Sequence, residues 1–171
     1  ATKRLSERLI QSINEKSKTQ FMAVRFGNVI GSSGSVILTL KRQIKKGGPI
    51  TITHPDMVRY FMSIPEAAQL ILQTGAIGRG GEIFALDMGK PIKIKDMAYD
   101  LIRLSGFEPE KDIPVVYTGL RPGEKMYEEL VTKGEKVDKT IHPKILIMRN
   151  IQTPQLWDKF STEIHGLIDV T

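Results

Sequence analysis

The sequence predicts an α/β or mixed α+β fold, and three observations predict it. Short apolar runs rich in β-branched residues, such as Phe21 to Ile30, Ile50 to Thr53 and Glu82 to Leu86, read as strands. Longer stretches with apolar residues at helical spacing alternate with them. Glycine or proline breaks separate most neighbours, and such alternation belongs to layered folds in which helices cover a sheet.

The elements follow in order. Leu5, Leu9, Ile10 and Ile13 share one face of a helix over residues 4–15, with charges opposite. Residues 21–30 read as one buried strand that ends at Gly31-Ser32-Ser33-Gly34. A helix from Val36 to Lys46 stops at Gly47-Gly48-Pro49, and a strand over Ile50 to Thr53 is followed by the turn His54-Pro55-Asp56. Ser63 caps a helix with Pro65 at its first position, running toward Gly75. Gly78 to Gly81 turns the chain into the strand Glu82 to Leu86, and Ile92 to Ile94 is short and extended. Lys95 to Ser105 is helical up to Gly106, Ile113 to Tyr117 a strand, Glu124 to Val131 a helix and Lys144 to Met148 a last strand. Pro154 opens a closing helix to about Leu167.

Composition narrows the function. The 171 residues suffice for a core without staples, and with no cysteine there is no disulfide, thiolate metal site or cysteine nucleophile. Three histidines, His54, His142 and His165, stand far apart, so no metal site is expected. No apolar run approaches the roughly 18 residues that span a bilayer. The charge of +6 suggests an anionic partner, although Lys41, Arg42, Lys45 and Lys46 also read as a solvated helix face. Aromatic residues make up 6%, and no nucleic-acid-binding signature is present, so nucleic acid is not the expected partner. No strand leads into a GxGxxG or Walker loop, which removes the usual dinucleotide or ATP device from this chain.

Four segments combine polar groups with permissive backbone. Asn28, at a strand end in Arg25-Phe26-Gly27-Asn28-Val29, offers a donor and an acceptor, or is a turn residue. Gly34-Ser35-Val36 enters a helix whose free amides suit a phosphate, or is a plain helix start. Arg59 lies amid apolar neighbours and must find an anion, either a phosphate or an internal carboxylate. Arg121-Pro122-Gly123-Glu124 sets a cation for phosphate beside a carboxylate for a ribose diol, or forms a capped helix start with a local ion pair. No nucleophile with its base is visible. Together these groups suit a nucleotide diphosphate attached to something hydroxylated.

VRFGNVIGSSGSVI, GGPITITHPDMVRYFMSIPEAAQLILQ and RPGEKMYEEL together resemble the carboxyl-terminal part of the extended short-chain dehydrogenase/reductases that act on nucleotide sugars. The sequence is most similar to the bacterial UDP-N-acetylglucosamine 4,6-dehydratases of the capsular polysaccharide (CapD-like) group, from Ala1 to about Asn150. The resemblance implies an incomplete Rossmann lobe plus a small mixed lobe: residues 1–48 a remnant of the nucleotide-binding lobe, and 49–171 mostly the substrate-binding lobe. Lys3 then looks like the catalytic lysine of a YxxxK signature, which also holds the nicotinamide ribose. Phe26, Asn28 and Val29 look like cofactor neighbours. Asn28, Ser35, Val36, Ile50, Thr51, Arg59, Arg121 and Glu124 match substrate contacts, with Ile50 and Thr51 bracketing the uracil, Arg59 and Arg121 on the diphosphate and Glu124 on the ribose.

The implied parent is an NAD(P)-dependent lyase, with NADP favoured and no metal, that oxidises the sugar at C4, eliminates water across C5 and C6, and returns the hydride to C6. A start inside the signature implies a missing amino-terminal half, without which the fragment is expected to be inactive. The implied partner is a UDP-sugar, and exposed strand edges allow a homo-oligomer. The implied location is the cytoplasm, with tethering to the inner membrane face by absent spans left open. A UDP-sugar 4-epimerase, a dehydratase/5-epimerase and a non-catalytic nucleotide-sugar-binding module remain alternatives.

Overall fold

The computed structural model describes residues 2–132 and 134–149. The helix expected over 154–167 lies outside them. The described residues fall into two compact units: those within 2–25, 70–87 and 131–149 form the first, and residues 26–69 and 88–130 the second. A cut at residue 48 therefore does not reproduce the units, because strand pairing draws distant segments of the chain together.

The first unit is built on a four-stranded sheet in the order β1 (Ala23–Arg25), β6 (Ile83–Leu86), β10 (Ile145–Arg149), β9 (Lys136–Lys139). β1 runs parallel to β6, whereas β10 is antiparallel to both β6 and β9. All four residues of β6 are buried, as the continuous apolar run Ile83-Phe84-Ala85-Leu86 requires of a strand covered on both faces. β9 was not expected, since Lys136-Val137-Asp138-Lys139 carries one apolar residue; it is an edge strand held by β10. The helix α1 (Thr2–Lys16) turns Glu7 inward. There Arg25 donates to both oxygens of Glu7, at 2.6 and 2.8 Å, and to both of Glu135, at 2.8 and 3.1 Å. The Arg25 hydrogen bond holds the Glu135 carboxyl down at about 2, and the two carboxylates raise the guanidinium further above its usual range.

The second unit carries three strand pairs. β2 (Asn28–Val29) is parallel to β5 (Phe61–Met62), β3 (Ile50–Ile52) is parallel to β8 (Val115–Tyr117), and β4 (Val58–Arg59) is antiparallel to β7 (Ile92–Lys93). Its core joins Leu40 and Ile44 of α2 (Val36–Lys45), Ile50 and Ile52 of β3, and Ile94, Ala98 and Ile102 of α4 (Ile94–Leu104). The α4 residues recur every four positions, which sets them on one stripe. Both helices end in a glycine of positive φ, Gly47 at 85° and Gly106 at 84°. Each glycine amide, and the amide after it, bonds back to the last turn, so orphan carbonyls are satisfied where a side chain would be strained.

α3 (Ile64–Ile77) starts where Ser63 accepts the Glu66 amide at 3.2 Å; Ile64 rather than Pro65 is its first residue, and it runs past Gly75. Two expectations fail for tertiary reasons. The run 21–30 is not one buried strand: its residues are half-buried or exposed, and it breaks at Phe26-Gly27 into β1 and β2, which pair with different strands in different units. Residues 124–131 form no helix, because their carbonyls are engaged elsewhere: that of Met126 accepts from the Val58 amide and the Arg59 side chain, and that of Lys125 from Arg59.

Candidate functional site

At the end of β2 the chain turns through Gly31 to Gly34 and enters α2. The Ser32 amide donates to Val29, and the Ser35 amide to Ser32, so the turn folds back beside the strand. Asn28 is fixed by its amide bond to the Tyr60 carbonyl at 2.9 Å, and Ile30 donates to Met62 at 2.9 Å. Gly27 lies so close to Tyr60 that an added Cβ would sit 2.8 Å from Tyr60 Cβ, which allows no larger residue without movement. The result is a cavity of about 440 Å³ lined by Gly27, Asn28, Val29, the 32–36 turn and Phe61. This volume lies within the range of small-molecule sites.

Two features make that cavity polar in a useful way. No side chain caps α2, so its first-turn amides find no side-chain acceptor at Ser35. The Ser35 hydroxyl itself is buried without a hydrogen-bond partner. Turned toward the cavity, that hydroxyl would join the uncapped helix start as a donor for an anionic oxygen.

A second group of polar residues gathers around the turn Arg121-Pro122-Gly123-Glu124. Glu124 closes it reciprocally: its amide donates to the Arg121 carbonyl at 3.0 Å, and its Oε2 accepts from the Arg121 amide at 3.1 Å. Oε1 accepts from the Thr53 hydroxyl at 3.2 Å. The carboxylate thus supplies the returning half of a capping box, while the other half is an ordinary main-chain turn bond. The alternative reading, a local Arg121–Glu124 ion pair, does not form among the described residues: the carboxylate takes the Arg121 amide, and the Arg121 side chain is exposed.

Of the residues singled out in the sequence, Asn28, Val29, Ser35 and Val36 meet at the cavity, and Arg121 and Glu124 meet at the turn. Phe26 is half-buried just before β2. Ile50 is 0% exposed in the core, so its side chain offers no surface to a base. Thr51 is exposed, and its amide and hydroxyl both bond to Gln43, at 3.1 and 2.7 Å. Arg59 finds its acceptors inside the chain: Nη1 donates to the Val58 and Met126 carbonyls, Nη2 to that of Lys125, and Nε lies 3.7 Å from Glu128. Lys3 is exposed on α1, in the first unit. Sequence reasoning missed Phe61, Ser32 and Ser33 on the cavity wall, and also Thr53 and Glu128. The serine-glycine break after the strand was the available signal for the wall.

The model of the polysaccharide biosynthesis protein family matches residues 1–150. The chain belongs to that family. It is 60% identical over 146 residues to the capsular polysaccharide biosynthesis protein CapD of Staphylococcus aureus, a match over 85% of this chain and 24% of that protein. The chain thus spans about a quarter of the length of this curated relative. Among solved structures it is similar to Pen from Bacillus thuringiensis, with 38% identity, a TM-score of 0.73, and coverage of 84% of this chain and 45% of that one. At 18% identity and a TM-score of 0.60 it shares the fold of DesIV, a dTDP-glucose 4,6-dehydratase from Streptomyces venezuelae, over 71% of this chain and 38% of that one. The expected fold class therefore holds: this member of the polysaccharide biosynthesis protein family carries part of the extended short-chain dehydrogenase/reductase fold.

Proposed function

We propose that the chain is the substrate-binding part of an NAD(P)-dependent nucleotide-sugar 4,6-dehydratase of bacterial surface polysaccharide synthesis, acting on a UDP-N-acetylglucosamine-type sugar. The observation that carries the reading is the polar wall of the β2–α2 cavity, with the partnerless Ser35 hydroxyl at an uncapped helix start. Identity to CapD over most of the chain supports the pathway, and the dehydratase named among the fold neighbours supports the reaction class.

Each residue has a task in this reading. Ser35 and the first amides of α2 donate to phosphate oxygens, where the helix dipole also favours negative charge. Arg121 supplies an exposed cation for the diphosphate. Glu124 keeps acceptor capacity beyond its bonds to Thr53 and Arg121, since each carboxylate oxygen accepts two hydrogens, and that capacity suits a ribose diol. Asn28 and Val29 form the wall against which the reacting end of the ligands packs. A nicotinamide cofactor, NADP by preference, would supply the hydride acceptor and donor. Lys3 would orient its ribose.

The test is incubation of the full-length protein with UDP-N-acetylglucosamine and NADP or NAD, followed by NMR of the product. A 4-keto-6-deoxy sugar is expected. A C4-inverted sugar with its C6 hydroxyl intact would replace the reading with a 4-epimerase, and unchanged substrate with measurable binding would leave a binding module.

A further inference from the structure

We infer that Arg59 is a positioning residue that latches the Arg121–Glu124 turn in place, and not a direct contact to the diphosphate; the inference rests on the ligand reading just proposed. The Arg59 side chain is 13% exposed, and three of its five N–H donors hold main-chain carbonyls. Nη1 uses both hydrogens, on the carbonyls of Val58 at 2.7 Å and Met126 at 3.1 Å. Nη2 holds the Lys125 carbonyl at 2.9 Å, and Nε faces Glu128 Oε1. Turning this fork toward a phosphate would leave main-chain carbonyls without their donor, a penalty that partly cancels the new bonds.

What Arg59 holds matters more than what it gives up. Lys125 and Met126 directly follow Glu124, and the Val58 amide also donates to Met126 at 3.3 Å. The Thr53 hydroxyl holds Glu124 from the same stretch of chain. Residues 53–59 thus fasten 124–128 by side chain and main chain together. One residue beyond Arg59, the Tyr60 carbonyl accepts from Asn28, and Phe61 lines the cavity. The ribbon 58–62 therefore supports the cavity wall and the turn at once, and Arg59 sets their separation.

Glu128 completes the latch. Its Oε2 is buried with no hydrogen-bond partner, while Oε1 faces Arg59 Nε. A carboxylate kept in that state is held by the cation beside it, and it in turn fixes the third edge of the guanidinium.

The experiment uses the full-length protein with Arg59→Lys, Glu128→Ala and Glu128→Gln. Lysine keeps the charge but gathers its donors on one nitrogen, without the planar fork that reaches the carbonyls of Val58, Lys125 and Met126. Hydrogen exchange of the amides in 121–128 is followed without ligand, those of α2 and α4 serving as controls for folding. Affinities for uridine and UDP are measured by NMR titration. In Arg59→Lys, loop exchange should speed about 10-fold with α2 and α4 unchanged, and uridine and UDP should weaken by the same factor, about 10-fold, because Glu124 and Arg121 move together. Glu128→Ala should do the same less strongly, and Glu128→Gln should restore part of the loss. Loss of UDP affinity with uridine binding and loop exchange unchanged would overturn the inference in favour of a direct diphosphate contact. No change in any readout would also overturn it. A wild-type protein that binds neither ligand would overturn the functional reading and the positioning role with it; accelerated loop exchange in Arg59→Lys would then mark a latch with nothing to position, which separates the two failures.

Discussion

Val24-Arg25-Phe26 and Val58-Arg59-Tyr60 are nearly the same tripeptide, yet the two arginines settle in opposite surroundings. Arg25 is clamped by two carboxylates, Glu7 and Glu135, each through both oxygens. Arg59 is held by three main-chain carbonyls, with one half-exposed carboxylate at 3.7 Å. The first arrangement more than cancels its cation, so removing the arginine strands two negative charges. The second fixes a cation mainly with dipoles, so removing it frees a loop. Local sequence sets neither outcome; what the rest of the fold brings alongside does.

The largest consequence follows from the first clamp. Arg25→Met should lower unfolding free energy by about 3–5 kcal/mol, because Glu7 and Glu135 have side chains 10% and 9% exposed and would lose the cation between them. Arg59→Met should cost less, about 1–3 kcal/mol, as carbonyls without a donor are cheaper than carboxylates without a cation. Denaturant unfolding of both variants checks the order, and a reversal breaks the comparison.

Arg121→Ala sharpens it from the ligand side. UDP binding to the full-length protein should weaken by about 1–3 kcal/mol in calorimetry, while stability stays within about 0.5 kcal/mol, since this side chain is exposed. Acid distinguishes the two arginines again. The Glu135 carboxyl lies near 2 in the folded protein, below its ordinary 4.5, so its stabilising contribution is complete above about 4.5 and is lost as pH falls from there toward 2. Carbonyls do not titrate. Unfolding measured at pH 6, 4 and 3 should therefore show an acid slope that Glu135→Gln flattens and Arg59→Met leaves in place. The smallest effect is expected at Ser35: with no capping bond to lose, Ser35→Ala should change stability by less than about 0.5 kcal/mol, below the usual cost of an N-cap, as thermal melting would show.

Much of the fold was legible wherever local rules and tertiary packing agree. Ala98, Leu101 and Ile102 announce α4, and Gly106 its end, because burial and capping act at fixed spacing, although Ile94, read as extended, is the first residue of the helix. Asn28 was legible as a strand end and Ser35 and Val36 as a helix start; that they line one cavity follows from the fold. The stretch 124–131 misled because Met126, Leu130 and Val131 mimic helical spacing, while the competing donors come from residues more than sixty positions away. Arg59 was expected to meet an anion, a phosphate or an internal carboxylate; three carbonyls hold it instead, with Glu128 at 3.7 Å, because of the path of that same loop. Lys136 to Lys139 gave no signal, since an edge strand takes its structure from its neighbour.

The chain passes between its two units after Arg25, Gln69, Asp87 and Leu130. Recombination between relatives must respect all four junctions. A single crossover cannot transplant the second unit, with its cavity and its Arg121 turn, into another scaffold. Residues 26–69 and 88–130 have to travel together as a paired graft, and a chimera that carries only one of them would import Arg59 without the loop it grips or the loop without its grip.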